Sequence, residues 1–196
     1  MSQEAIECLR QDPVLAPIIG APLPALKPDY DLYGGLIRSV IYQQLSGKAA
    51  GTIHRRFLNL FPDGYPDAEY LLELPEEELR AVGLSRQKAG YVSNVARFFQ
   101  TNTNEELLQL PDEELLNALT EIKGIGVWTV QMILLFNLGR PDIFPTADLG
   151  VQKAMQQLCG FELKGKALKQ KMAETAEAWR PHRSYATRLL WQSLSA

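Results

Sequence analysis

The stretch that decides the fold lies between Leu119 and Val130 and reads LTEIKGIGVWTV. A helical pattern stops near Ile122, a turn follows with the sequence KGIG (residues 123–126), and a second helical pattern restarts at once. Two glycines allow positive φ and a close approach of the backbone to a ligand. The free N–H groups at the start of the second helix suit an anion such as a phosphate. A plain tight connection between two helices explains the glycines as well.

The rest of the chain also follows helical periodicity. Apolar residues at three-to-four spacing from Leu32 to Gln44 predict one amphipathic helix. Ser46 and Ser85 are predicted to cap two further helices, the first of which should end before Pro62. The run from Trp128 to Leu138 predicts a helix that is buried on most sides. No convincing β-hairpin signal interrupts the pattern, so the predicted fold class is all-α.

Composition places the chain among ordinary globular proteins. Its apolar fraction is 46% and its charged fraction 22%, which argues against disorder. The net charge of −3 gives no general attraction to nucleic acid. Basic residues nevertheless concentrate in residues 48–56 and 164–188. These clusters are either solvated helix faces or local patches for DNA.

Further sequence features bear on cofactors and location. The two cysteines, Cys8 and Cys159, are too few for the four thiolates of an iron–sulfur cluster, and we expect no required cofactor. The N-terminus has neither a basic region nor a long apolar stretch, so we expect no signal peptide. The most apolar segment is too short to span a bilayer. We therefore expect no membrane association and a cytoplasmic location, or a nuclear one in a eukaryote.

Asp148 is the candidate for chemistry. It lies 22 residues after Gly126, follows the sequence FPTA (residues 144–147) and precedes a helical run from Leu149 to Leu158. Taken alone, Asp148 is well placed to cap that helix. The N–H groups and dipole of a helix start favour the charged form of a carboxylate, so capping and catalysis are compatible roles.

Together these motifs resemble the helix–hairpin–helix DNA glycosylase superfamily, and within it the 3-methyladenine DNA glycosylase II branch. Besides the hairpin and Asp148, the resemblance rests on residues 41–50, 83–89 and 179–186. It implies two helical lobes with a DNA-binding cleft between them. Residues 32–130 would carry the hairpin and residues 43–46, which we call the wedge segment because one of its side chains would be inserted into the DNA. Residues 1–31 with 131–196 would carry the catalytic aspartate.

The activity implied by the resemblance is hydrolysis of the N-glycosidic bond of alkylated purines, 3-methyladenine and 7-methylguanine, during base excision repair. Asp148 would be the catalytic carboxylate, because an anion stabilises the positive charge that develops on the sugar. Relatives with lyase activity hold a nucleophilic lysine two residues after the second glycine. Trp128 stands there in this chain, and an indole cannot form a Schiff base. We therefore expect a monofunctional enzyme.

The damaged base must leave the DNA duplex before it can react. The resemblance assigns residues to the pocket that holds the extruded base. The candidates for the base pocket are Trp128, Tyr42, Phe144 and His182. An indole face attracts a cationic base, although Trp128 is equally open to interpretation as a core residue. His182 stands where the branch can present a second aromatic wall.

The expected DNA contacts fall in two segments. In the wedge segment, the side chain of Leu45 or Ser46 would enter the DNA duplex. The sequence alone is equally consistent with Leu45 as a core residue. The complete set of DNA-binding candidates is Gln43, Gln44, Leu45, Ser46, Lys123, Gly124, Ile125, Gly126 and Thr129. Lys123 replaces the proline usual in the family. Ile125 should anchor the turn in the core.

The resemblance also implies a structural sodium or potassium ion held by the backbone carbonyls of Thr120, Ile122 and Gly124. The expected partner is double-stranded DNA with alkylated bases, bound by a monomer. Three other functions stay open on sequence alone. They are a glycosylase for oxidised or mismatched bases, a non-catalytic hairpin module that binds DNA, and a helical scaffold that binds protein.

Overall fold

The structure is a computed structural model that describes residues 3–20 and 22–194. These residues form helices and connecting loops without any strand, which confirms the all-α prediction for them. Across the same residues, no helix combines the length and the apolarity needed to cross a bilayer. The α-helices are α1 (Gln3–Leu9), α2 (Leu32–Tyr42), α3 (Gly47–Leu58), α4 (Ala68–Glu73), α5 (Glu76–Ala81), α6 (Arg86–Phe99), α7 (Asn104–Leu108), α8 (Asp112–Thr120), α9 (Val127–Met132), α10 (Leu149–Cys159), α11 (Gly165–Ala176) and α12 (Arg183–Ser193).

The chain divides into two units. One is Asp29–Ile133, which we call the hairpin unit, and the other combines Met1–Pro28 with Leu134–Ala196, which we call the aspartate unit. The predicted lobe boundaries at 31/32 and 130/131 lie three residues from these divisions. The predicted cleft stays a prediction.

In the hairpin unit, α2 is the central helix and packs against α3 and α6. It begins at Leu32 because the Asp31 carboxylate accepts a hydrogen bond from the Gly34 N–H at 2.9 Å. Its apolar face, including Leu36 and Ile41, is fully buried. The helix ends at Tyr42, and the predicted extension to Gln44 is therefore wrong.

Both predicted serine caps are confirmed. The Ser46 hydroxyl accepts a hydrogen bond from the Ala49 N–H at 3.4 Å at the start of α3. The Ser85 hydroxyl accepts one from the Lys88 N–H at 3.2 Å at the start of α6. Each serine satisfies one of the N–H groups that the first helical turn leaves without a partner.

The apolar run after the hairpin differs from its prediction. It forms α9 and then a π-helical turn over Ile133–Asn137. Trp128 is 46% exposed and Phe136 is 42% exposed, so burial on most sides is wrong for these two residues. The π-helical turn departs from the 3.6-residue repeat, so a pattern based on that repeat misplaces Phe136. Trp128 precedes this turn and lies on the exposed face of α9.

In the aspartate unit, α10 packs against α11 and α12. Trp179 belongs to this core and has no exposed surface. Met155 from α10, Met172 from α11 and Leu190 from α12 belong to the same core and are also fully buried. This core fixes the start of α10, where Asp148 lies.

Candidate functional site

The hairpin turn requires glycine at one of its two glycine positions. Gly124 has φ +107°, and a Cβ placed there would lie 2.3 Å from Cγ of Tyr91. Gly126 has φ −102° and ψ 165°, and a Cβ there would meet no atom within 4 Å. The expectation of positive φ at both glycines is therefore wrong for Gly126. An open, exposed Gly126 instead leaves room for a ligand to approach the backbone.

The rest of the turn combines one buried residue with one exposed residue. Ile125 is 5% exposed, which confirms its predicted role as an anchor. Lys123 is exposed, and its carbonyl accepts a hydrogen bond from the Asn94 side-chain amide at 3.0 Å. Ile125 therefore offers little surface to a ligand, and its contact with DNA stays a prediction.

The wedge segment, residues 43–46, joins α2 to α3 at the surface. Leu45 is 40% exposed, which excludes the alternative of a core leucine. Gln44 has φ +56°, a conformation that residues other than glycine seldom adopt. The Gln43 side-chain amide donates a hydrogen bond to the Gly124 carbonyl at 3.2 Å and thus links the wedge segment to the hairpin.

A pocket of about 380 Å³ lies beside the wedge segment and belongs wholly to the hairpin unit. It brings together two predicted pocket residues, Trp128 and Tyr42. Thr129 is 6% exposed and lines the pocket, and its contact with DNA stays a prediction. Sequence reasoning missed Ser39 and Met132. The lining residues are Ser39, Tyr42, Gln43, Gln44, Trp128, Thr129 and Met132.

Asp148 is half-buried at the start of α10 and caps it as predicted. Its Oδ1 accepts a hydrogen bond from the Val151 N–H at 2.9 Å and another from the Trp191 indole N–H at 2.8 Å. Gly150 permits this approach, because a Cβ there would lie 3.0 Å from the Trp191 ring. The carboxylate is thus held in one orientation by donors from two helices.

Trp191 was not predicted as a site residue. Its ring stacks on Phe136, with centroids 5.7 Å apart and 13° between the planes. Both rings line a second pocket of about 490 Å³, in the aspartate unit, together with Arg188. Arg188 is 8% exposed and donates to the Pro24 carbonyl, and burial lowers the pKa of its guanidinium. The only signal for Trp191 in the sequence was the scarcity of tryptophan, of which the chain has three.

The two remaining pocket candidates lie in the aspartate unit. Phe144 is 8% exposed and packs edge-on against Trp179, with centroids 5.5 Å apart. It is a core residue, and we correct its assignment to the base pocket. His182 is half-buried at the start of α12, with its ring 6.3 Å from that of Tyr185.

The carbonyls implied as cation ligands lie where α8 runs into the turn. The Ile122 carbonyl accepts a hydrogen bond from the Ile125 N–H at 2.9 Å, and the Gly124 carbonyl accepts one from Gln43. A carbonyl oxygen has two lone pairs, so each of these retains one for another ligand. Neutral carbonyl oxygens fit a hard alkali cation. In residues 3–20 and 22–194, no group of three His, Cys, Asp or Glu side chains is arranged to hold a metal ion.

The loop that leads to Asp148 is attached to α12 by Ser184, which is 4% exposed. The Ser184 hydroxyl donates to the Arg140 carbonyl at 2.6 Å and accepts from the Ile143 N–H at 2.9 Å. An ion pair supports the same attachment, with Arg183 Nε 2.7 Å from the Asp142 carboxylate.

We expect Ser184→Ala to destabilise the protein by about 1–3 kcal/mol, because buried backbone groups lose their partner. For a chain of this size the melting temperature should fall by roughly 2–12 °C, measured by circular dichroism. Ser193→Ala is the matched control in the same helix, since its hydroxyl donates to the Leu190 carbonyl of that helix at 2.8 Å. Equal melting temperatures for the two variants would show that Ser184 does not hold the loop.

The family model of the HhH-GPD superfamily of base excision DNA repair proteins matches residues 37–181. This chain belongs to that superfamily. The matched range includes the wedge segment, the hairpin and Asp148. The family assignment made from the sequence motifs is therefore confirmed.

Named relatives lie in the 3-methyladenine branch of the superfamily. YfjP of Bacillus subtilis (strain 168), whose name assigns it provisionally as a DNA-3-methyladenine glycosylase, is 38% identical over 174 residues. That match covers 85% of this chain and 60% of YfjP. DNA-3-methyladenine glycosylase 1 of Schizosaccharomyces pombe is 36% identical over 165 residues, covering 82% of this chain and 72% of the relative. This chain thus spans about three fifths of the length of YfjP.

A solved structure resembles the whole chain. It is that of Schizosaccharomyces pombe 3-methyladenine DNA glycosylase (Mag1) in complex with abasic DNA. The TM-score is 0.82 at 32% sequence identity, and the match covers 99% of this chain and 98% of the other.

Proposed function

We propose that this chain is a monofunctional DNA glycosylase that acts as a monomer on double-stranded DNA. It hydrolyses the N-glycosidic bond of alkylated purines such as 3-methyladenine and 7-methylguanine. The observation that carries the proposal is the carboxylate of Asp148, which lies within the range that matches a superfamily of base excision repair proteins. The Val151 N–H and the Trp191 indole N–H hold this carboxylate. The names of the relatives supply the class of base.

Asp148 supplies negative charge to the transition state. As the base departs, positive charge develops on C1′ and O4′ of the sugar, and a fixed carboxylate stabilises it more than it stabilises the substrate. The same carboxylate can orient or deprotonate the attacking water. An alkylated purine already carries positive charge and is a good leaving group, so one carboxylate suffices without a strong general acid.

Trp128 and Tyr42 bind the extruded base in the pocket of the hairpin unit. An electron-rich ring attracts a cationic base by roughly 0.5–2 kcal/mol. The pocket volume of about 380 Å³ lies within the range of sites for small molecules. The half-exposed indole of Trp128 supports this role, because a core tryptophan offers no face to a ligand.

Leu45 fills the space that the extruded base leaves. An exposed apolar side chain at the tip of a turn can replace lost base stacking. The hairpin contacts the DNA backbone through its own N–H groups around Gly126, with Lys123 close by. Few basic side chains are needed for such an interface, in keeping with a net charge of −3.

We also propose that a sodium or potassium ion binds the carbonyls of Thr120, Ile122 and Gly124 and stabilises the turn. Carbonyl oxygens that keep a lone pair support this assignment. No step of the chemistry proposed for Asp148 involves the ion.

An excision assay on methylated duplex DNA tests the function. We expect release of 3-methyladenine or 7-methylguanine and an intact strand with an abasic site, which breaks only after alkali. Borohydride should trap no covalent complex, because Trp128 occupies the position of the lyase lysine. The same duplex without methylation is the control.

Two results would contradict the proposal. A borohydride-trapped complex would make the enzyme bifunctional. Release of no base from alkylated, oxidised or deaminated DNA would make the chain a DNA-binding module without glycosylase activity.

A further inference from the structure

The turn between α2 and α3 contains carbonyls that its own backbone does not satisfy, among them those of Ile41 and Gln43. The Gln43 N–H donates to the Ser39 and Val40 carbonyls, and the Leu45 N–H donates to the Tyr42 carbonyl. In the part of the chain that the structure describes, no backbone N–H donates to the carbonyls of Ile41 and Gln43. Carbonyls at a helix end need a donor from elsewhere when they are withdrawn from water.

Lys88 supplies that donor. It lies in the first turn of α6, and its Nζ is 2.7 Å from the Ile41 carbonyl oxygen and 2.7 Å from that of Gln43. Burial lowers the pKa of the Lys88 ammonium, which is desolvated by these contacts. Since an ammonium carries three donors, both carbonyls are satisfied by one side chain.

The two residues held by Lys88 flank the position where the chain reverses. Gln44 follows directly, with φ +56°, and Leu45 comes next. A left-handed conformation at a residue other than glycine persists only where the surroundings impose it. Lys88 thus fixes the backbone from which the side chain of Leu45 projects.

The same helix also supports the hairpin. Tyr91 lies three residues after Lys88 and its ring contacts Gly124, while Asn94, three residues further on, donates to the Lys123 carbonyl. Residues three apart lie on one face of a helix. That face of α6 therefore holds the wedge segment at one end and the hairpin turn at the other, and the bond from Gln43 to Gly124 joins the two directly.

We propose that Lys88 is a positioning residue for base extrusion, which sets the backbone of the wedge segment relative to the hairpin and does not itself contact DNA. The inference rests on the proposed function, because it assumes that the side chain of Leu45 enters the DNA duplex. It predicts that loss of Lys88 slows extrusion of a paired base more than it slows the chemical step.

Single-turnover excision from two duplexes separates these steps. One duplex carries 7-methylguanine opposite cytosine, and the other carries it opposite a tetrahydrofuran abasic analogue, where extrusion breaks no base pair. We expect Lys88→Met to lower the rate at least about tenfold on the paired base and less than about threefold on the unpaired one. Lys88→Arg keeps a cationic donor and should restore most of the rate. Lys27→Met, which removes an exposed lysine of the aspartate unit, should leave both rates unchanged.

Equal losses on the two duplexes, or no loss on the paired one, would overturn the inference, because a purely structural role or a direct phosphate contact affects both. Circular dichroism at the assay temperature verifies that Lys88→Met is folded. If it is not, Lys88→Gln, which retains an N–H donor on a shorter stem, is used with the same expected difference between the duplexes.

A second measurement does not require catalysis. A 2-aminopurine placed beside a tetrahydrofuran site becomes brighter when a wedge unstacks it. We expect saturating wild-type protein and Lys27→Met to raise the fluorescence, and Lys88→Met to raise it by less than about half as much. A rise with the wild-type protein but no base release would refute the proposed function and leave the role of Lys88 intact. No rise with the wild-type protein, or a full rise with Lys88→Met, would overturn the role of Lys88.

Discussion

Asp148→Asn should slow excision of alkylated purines by roughly 10²–10³-fold, while leaving DNA binding and the fold largely intact. Asparagine keeps the shape of the side chain and an oxygen that can accept from Val151 and Trp191, so the variant removes the charge and keeps these two hydrogen bonds. Loss of a preorganised electrostatic group of this kind costs roughly 10²–10³-fold in rate. Single-turnover release of 7-methylguanine measures the rate, and fluorescence anisotropy on abasic DNA measures binding.

The matched control for Asp148→Asn is Asp67→Asn. Asp67 caps α4 just as Asp148 caps α10, since its carboxylate accepts from the Tyr70 N–H at 2.9 Å. The two variants therefore make the same chemical change at the same kind of helix start. We expect Asp67→Asn to excise at the wild-type rate. Near-normal excision by Asp148→Asn would remove Asp148 from the mechanism.

Gly124→Ala should destabilise the protein far more than Gly126→Ala. At Gly124 the backbone conformation costs about 1–3 kcal/mol for alanine, and the contact with Tyr91 adds roughly 1–3 kcal/mol of overpacking. The melting temperature should fall by roughly 4–24 °C. At Gly126 the added Cβ meets no atom, so the change should stay within about 1 kcal/mol.

The affinity for DNA should reveal a separate effect of Gly126→Ala. Gly126→Ala is expected to fold normally and yet bind abasic DNA less tightly, because its Cβ occupies space where a phosphate approaches the backbone. Anisotropy titrations beside thermal unfolding of each variant provide the comparison. If Gly124→Ala melts no lower than Gly126→Ala, the Tyr91 contact does not constrain the turn. If Gly126→Ala binds as the wild type does, the hairpin does not contact DNA at that residue.

The sequence predicted features that depend on near neighbours. Ser46, Ser85 and Asp148 cap helices that begin within a few residues, and each was predicted correctly because capping is a local interaction. The motif from Gly83 to Ala89 contributed to the family assignment although no role for Lys88 was visible. Its acceptors are 45 and 47 residues away, beyond the reach of any pattern.

The wrong or missing predictions concern residues whose structure depends on partners that are distant in the sequence. Gln44 fits the apolar repeat of α2, but the repeat contains no information about a donor on α6. In the sequence alone, Phe144 is compatible with a pocket position or a core position. Its contact with Trp179 in the structure assigns it to the core. No sequence pattern connects Trp191 with Asp148, because the two residues are 43 positions apart and belong to different helices.

The attachment of the wedge segment through main-chain oxygens bears on how the enzyme can evolve. Lys88 binds the carbonyls of Ile41 and Gln43, which every residue type possesses. The side chains of Gln44 and Leu45 are exposed and carry none of that attachment. The identity of residue 45 is therefore free to drift, or to be randomised in a laboratory library, without loss of the turn. Residue 44 can vary among the residue types that tolerate a positive φ. Different lesions or different opposing bases could select different side chains there on an unchanged scaffold.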